Sequence, residues 1–76
     1  MNETDFNNVT NAAAAAAYWN NEGRTDTDKM NHAYRTAHTN GLTIGDMDAL
    51  ISAAWSGRTG THEAYLVEAR KIIDAA

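Results

Sequence analysis

The feature that most constrains the fold is the Asn-Gly-Leu-Thr segment at residues 40–43, where one helix is expected to end and another to begin. Gly41 suits the left-handed backbone conformation that commonly ends a helix. Thr43 is a good N-cap, because its hydroxyl can accept the unpaired backbone amide of Asp46. The Asp46 carboxylate also suits the positive end of a helix dipole. These signals predict a tight corner between two helices.

Apolar residues repeat with helical period on both sides of this corner. Leu42 and Met47 have the spacing of a hydrophobic staple. The stripe before the corner contains Met30, Ala33, Tyr34 and Ala37, and the stripe after it, from Ile44 onward, contains Met47, Leu50, Ile51 and Ala54. Two facing stripes predict an αα corner.

This corner resembles the helix-turn-helix of DNA-binding proteins over about twenty residues. The residues that carry the resemblance are Ala37, Gly41, Leu42, Met47 and Leu50. Thr36 and Asn40 stand where that pattern usually has apolar residues, and the second helix carries Asp46 and Asp48 with no Lys or Arg before Arg58. A helix that enters a DNA groove needs positive charge nearby. We therefore expect the corner to form part of the hydrophobic core and not to bind DNA.

The whole chain is predicted to be all-α, a small four-helix bundle of two helical hairpins in a single domain. Helices are expected at about 5–22, 26–40, 43–56 and 61–75, and the absence of Pro suits them. The expected core face of the first helix is Phe6, Val9, Ala13, Ala16 and Ala17, and that of the last is Tyr65, Leu66, Ala69, Ile72, Ile73 and Ala76.

The supply of bulky apolar side chains is small. Of 33 apolar residues among 76, 15 are Ala, and the chain has no Cys for a disulfide or a thiolate metal site. Small domains of this size obtain little net stability from the core alone. The helices therefore either approach closely through Ala faces or complete their core in a homodimer.

The net charge of −4 argues against binding to nucleic acid or to an anionic membrane. The apolar run of residues 12–19 is too short to span a bilayer, and Glu3 and Asp5 precede it where a secretory signal would have Lys or Arg. We expect a cytoplasmic protein.

Two apolar side chains fall away from the expected core: Tyr18 points almost opposite to the core face of the first helix, and Val67 lies on the far side of the last helix. Trp19 lies at the edge of the core face of the first helix and is expected to cover the core. Exposed aromatic residues are either ordinary surface residues or contacts for a partner.

A weak internal repeat supplies further candidates. Gly-Arg-Thr follows Trp19 at residues 23–25 and follows Trp55 at residues 57–59, an offset of 34 residues. The repeat is either coincidence or the mark of two equivalent hairpins. In the second case Arg24 and Arg58 lie beside helix N-termini, where anions bind readily.

Catalytic and metal-binding patterns do not emerge from the sequence. His62 lacks the second His four residues later that a zinc protease needs, and His32 and His38 fall on different helix faces. No Ser or Thr has an evident base. We therefore expect neither an enzyme nor a protein with a cofactor.

The sequence favours a non-catalytic protein–protein interaction module, a small modulator or inhibitor of a larger macromolecule of the kind that phages and mobile elements encode. The expected partner contacts are Tyr18, Trp19, Arg24, Trp55, Arg58 and Val67. Two alternatives are a helix-turn-helix DNA-binding regulator and an acidic nucleic-acid mimic of the anti-CRISPR or anti-restriction type.

Overall fold

The computed structural model describes residues 1–21, 27–57 and 60–76, and within these ranges it contains four α-helices and no strand. The helices are α1 (Glu3–Asn21), α2 (Thr27–Thr39), α3 (Ile44–Ser56) and α4 (His62–Ala75). α1 packs against α2 and α3, α2 packs against α3, and α4 packs against α3. The predicted all-α bundle of two hairpins is confirmed, and α1 and α3 form the most extensive interface between the hairpins.

The corner between α2 and α3 has the predicted geometry. Gly41 has a φ of +77°, and the Leu42 N–H donates to the Ala37 carbonyl at 2.9 Å, as in a Schellman ending. The Asp46 N–H donates to the Thr43 hydroxyl at 3.1 Å, and the Thr43 N–H donates to the Asp46 carboxylate at 2.9 Å. This capping box and the glycine turn fix how α2 meets α3.

The start of α1 is capped in a similar way. The Asn2 side-chain oxygen accepts the Asp5 N–H at 2.8 Å, so the helix begins slightly earlier than the sequence indicated. The predicted core face of α1 is buried in full, and Thr10 and Ala12 are buried beside it. In α2 and α3 the fully buried positions are Ala33, Ala37, Met47, Leu50 and Ala54. Ile51 of α3 and Leu42 of the corner are nearly fully buried.

The predicted core face of α4 is buried only in part. Tyr65 and Ala69 are buried, whereas Leu66, Ile72 and Ile73 are half-buried and pack against the edge of the core. Ala76 was expected in the core but is exposed, because it lies beyond the last helical residue. α4 is therefore an edge helix of the bundle.

Polar contacts fix the direction of α4 along α1. The Tyr65 hydroxyl donates to the Thr10 carbonyl at 2.8 Å, and further along α4 the Arg70 guanidinium donates to Glu3 at 3.0 Å. Arg70 also lies over the Phe6 ring, 4.0 Å from its centroid. Later residues of α4 contact earlier residues of α1, so the two helices are antiparallel.

Candidate protein-binding surfaces

The end of α1 carries two neighbouring aromatic side chains at the surface. Tyr18 is 37% exposed and Trp19 is 38% exposed. The Lys29 ammonium group of α2 lies 5.1 Å from the centroid of the Trp19 ring, a cation–π distance. Trp19 was expected to cover the core, but more than a third of it faces solvent. We call Tyr18 and Trp19 the aromatic pair.

The other predicted contacts are distributed over the molecule. Trp55 is half-buried at the end of α3, where it packs against the core. Val67 is 59% exposed on α4, in a shallow groove of about 370 Å³ that Leu66 and Lys71 also line. Arg24 and Arg58 lie outside the described residues, so their role and the Gly-Arg-Thr repeat stay predictions.

Tyr18 is also near the buried phenol of α4. The pKa of Tyr65 is raised well above its ordinary value, first because burial penalises the phenolate and second because of the Tyr18 phenol. Tyr18 therefore lies within electrostatic range of the Tyr65 phenol of α4, whereas Trp19 contacts Lys29 of α2. The Tyr65 hydroxyl is committed to Thr10, so it supports the fold and offers no free group to a ligand.

The structure adds a surface at the α2–α3 corner that the sequence did not indicate. A depression of about 670 Å³ lies on the outside of the α2–α3 corner. Its lining includes Tyr34, Arg35, His38, Leu42, Thr43 and Ile44. We call this surface the corner depression.

Ile44 is the main difference between the expected and the observed corner. It was placed at the start of the α3 core stripe, but it is 65% exposed. Helical side chains lean towards the helix N-terminus, so the first residue of α3 extends past the helix and over the corner. The signal was present in the sequence, because Ile44 directly follows the Thr43 cap and lies at the margin of the stripe.

One wall of the corner depression is held by a bond between helices. The Tyr34 hydroxyl donates to the Asp48 carboxylate at 2.7 Å. The pKa of Tyr34 is raised above its ordinary value, chiefly by this hydrogen bond and further by partial burial. The bond fixes the Tyr34 ring beside the depression. It also gives Asp48, one of the two α3 carboxylates noted in the sequence, a hydrogen-bond partner within the protein.

A larger and more polar groove of about 710 Å³ runs between α1 and α2. Asn8 and Asn11 line it from α1, and His32, Arg35 and Thr39 line it from α2. Ala12 and Ala15 form part of its floor. The groove is open to solvent and offers hydrogen-bonding groups without an apolar anchor.

The titratable residues do not form a metal cluster in residues 1–21, 27–57 and 60–76, where no three His, Cys, Asp or Glu side chains meet. None of the described helices combines the length and apolar character that crossing a bilayer requires. Comparison with protein-family models, with curated proteins and with solved structures gives no match.

Proposed function

We propose that this chain is a non-catalytic interaction module that binds another protein and modulates or inhibits it. The observation that supports this most is the aromatic pair at the end of α1. Tyr and Trp are enriched at the energetic centres of protein interfaces, since each buries a large rigid area and has a polar group for orientation. Two of them at consecutive, exposed positions near the end of one helix are informative in a chain with so few bulky side chains.

The rigidity of the surrounding bundle also supports binding. Every buried side-chain nitrogen or oxygen in the described ranges has a hydrogen-bond partner. The helix beneath the pair is anchored by its buried face of small residues, and Ala16 and Ala17 directly precede Tyr18. A side chain held on a rigid helix loses less conformational entropy when it binds, which favours affinity.

The proposal is tested by affinity capture with the immobilised full chain, using extract of the cells that express it, and by identification of the retained proteins by mass spectrometry. The test variant is Tyr18→Ala/Trp19→Ala. The matched control is Glu68→Ala/Lys71→Ala, which removes two exposed side chains from α4, where they lie 3.8 Å apart. Circular dichroism checks that both variants are folded.

We expect a protein that is retained by the wild-type chain and the control, and lost from the Tyr18→Ala/Trp19→Ala variant. Retention by all three chains would mean that the aromatic pair is not the contact surface. Specific retention of nucleic acid without a protein would contradict the proposal as a whole.

The DNA-binding regulator is the second candidate, because the α2–α3 corner resembles a helix-turn-helix in its glycine turn and its capped second helix. An electrophoretic mobility shift at low salt, with random and genomic DNA, separates the two functions. A regulator shifts DNA under these conditions, since phosphate contacts are strongest at low salt. We expect no shift, because α3 carries Asp46 and Asp48 and has no Lys or Arg.

A further inference from the structure

We propose that the corner depression is a second docking site, and that its occupant is a partner peptide segment that combines a bulky apolar side chain with a carboxylate. This site lies beyond the surface assigned above. Trp19 contacts Lys29 near the start of α2, whereas the corner depression lies at the end of α2. His38 follows Lys29 by nine positions in α2, which corresponds to about 14 Å along the helix.

The apolar part of the occupant follows from the floor of the depression. Ile44 is the most exposed of the large apolar side chains in the described residues, and Leu42 and the Tyr34 ring lie beside it. The volume is within the range of sites that bind small ligands and accommodates one or two large side chains. Covering Ile44 with an apolar group removes its surface from water.

The carboxylate of the occupant follows from the charges at the rim. Arg35 is exposed and has no carboxylate partner within the described ranges, and His38 is exposed on the same wall. The two nearby carboxylates of α3 do not line the depression: Asp46 accepts the Thr43 N–H and Asp48 accepts the Tyr34 hydroxyl. Arg binds a carboxylate through two parallel hydrogen bonds, so an acidic group beside the apolar side chain complements this rim.

The walls of the depression are preorganised. The glycine turn at Gly41, the capping box of Thr43 and the Tyr34–Asp48 bond hold α2 and α3 in one arrangement. Docking therefore requires little reordering of the protein, which improves the affinity of a short segment. A polyanion such as DNA fits less well, because the chain is acidic overall and the floor is apolar.

The test is a selection from a random peptide display library on the immobilised full chain. We expect enriched peptides that share a large apolar residue close in sequence to Asp or Glu. Their binding should fall at least about tenfold with Ile44→Glu, which removes the apolar floor and adds a repelling charge, and about threefold to fivefold with Arg35→Gln. Fluorescence anisotropy of a labelled selected peptide measures both changes.

Ala49→Glu is the matched control, since it places the same acidic side chain on an exposed position of α3 away from the depression. Ile44→Glu is expected to fold, because the residue is exposed and an acid suits the first turn of a helix. Amide chemical-shift changes on peptide addition should fall on residues around the corner.

Failure to enrich any peptide, enrichment without an acidic residue, or equal binding to Ile44→Glu would overturn the proposal. Sedimentation that shows a dimer of the free chain, dissociated by Ile44→Glu, would also overturn it and would assign the depression to a second copy.

Discussion

α1 and α4 differ in how completely they are buried, and the difference is opposite to the one that their sequence patterns suggest. α4 has a clear amphipathic pattern of large residues, yet only Tyr65 and Ala69 are buried in it. α1 has a run of six Ala with little amphipathic contrast, yet its whole core face is buried. Small side chains let α1 approach both α2 and α3 closely, whereas α4 packs mainly against α3.

This comparison shows where the chain places its large apolar side chains. Many of them lie at the margin of the bundle, half-buried like Ile72 and Ile73 or exposed like Ile44 and Val67. The interior at α1 is instead built mostly of Ala. A surface with bulky apolar groups on a rigid Ala-packed interior suits a protein that binds a partner.

Truncating one leucine in the interior helix α3 and one in the edge helix α4 should give the largest difference in stability. Leu50 is fully buried, so Leu50→Ala is expected to lower the free energy of unfolding by about 3 kcal/mol. Leu66 is half-buried on α4, so Leu66→Ala should cost about 1 kcal/mol. Urea denaturation followed by circular dichroism measures both changes. Equal costs would mean that α4 is as much a part of the interior as α3.

Enlarging an alanine tests the close approach of α1. Ala13 is fully buried, and Ala13→Leu should destabilise the protein by about 2 kcal/mol, because the packed helices have to move apart. Ala64 is exposed on α4, so Ala64→Leu is the control and should change stability by less than about 0.5 kcal/mol. Thermal denaturation of the two variants provides the measurement. A neutral Ala13→Leu would disprove tight packing of α1.

The hydrogen bond between Tyr65 of α4 and Thr10 of α1 should contribute less to stability, and its contribution should depend on pH. Tyr65→Phe removes the hydrogen bond to the Thr10 carbonyl and should cost about 1 kcal/mol at neutral pH. The pKa of Tyr65 is raised in the folded state above the ordinary value of 10.0. Its stabilising contribution is therefore complete below about pH 10 and is lost as the pH rises further.

Urea midpoints measured between pH 8 and pH 11 check this prediction. The wild-type chain should lose stability above pH 10, and Tyr65→Phe should lose less. A smaller alkaline effect is expected to persist in the variant, because Tyr34 also has a raised pKa. Identical pH profiles would show that the Tyr65 phenol does not anchor α4 to α1.

The ion pair at the other end of α4 should have the smallest effect. Arg70→Met removes the contact with Glu3 and the charge over the Phe6 ring, and should cost about 0.5 kcal/mol. The difference in stability between the wild type and Arg70→Met should shrink in high salt, since the side chains of Arg70 and Glu3 are largely exposed. Lys71→Met, which removes a more distant contact with Glu68, is expected to be neutral. Chemical denaturation at low and high ionic strength compares the two.

The sequence predicted best those features that local chemistry decides. Gly41, Thr43 and Asp46 act within a few residues of one another, so the corner followed directly from their types and spacing. The core face of α1 also followed, because helical period alone assigns Phe6 and Val9 to one side. The partial burial of α4 did not follow, since an apolar stripe does not reveal how many neighbours will cover it.

The candidate binding surfaces could be predicted only in part, because the sequence reveals helical period but not how helices meet. Tyr18 and Val67 were expected at the surface, because helical period places them opposite the core. Ile44 was missed, although the Thr43 cap already indicated it as the first residue of α3, because the apolar stripe alone does not show that a side chain at this position extends beyond the core. The corner depression depends on how α2 and α3 meet in space.

The central claim is that α1 and α3 form the interior, while α4 is an edge helix that leaves bulky side chains partly at the surface. Native-state hydrogen exchange of backbone amides tests it most directly. Amides in the middle of α1, at residues 9–17, should exchange only through global unfolding, whereas amides at residues 69–73 should exchange through openings at least about 1 kcal/mol less costly. Equal exchange free energies in the two helices would contradict the claim.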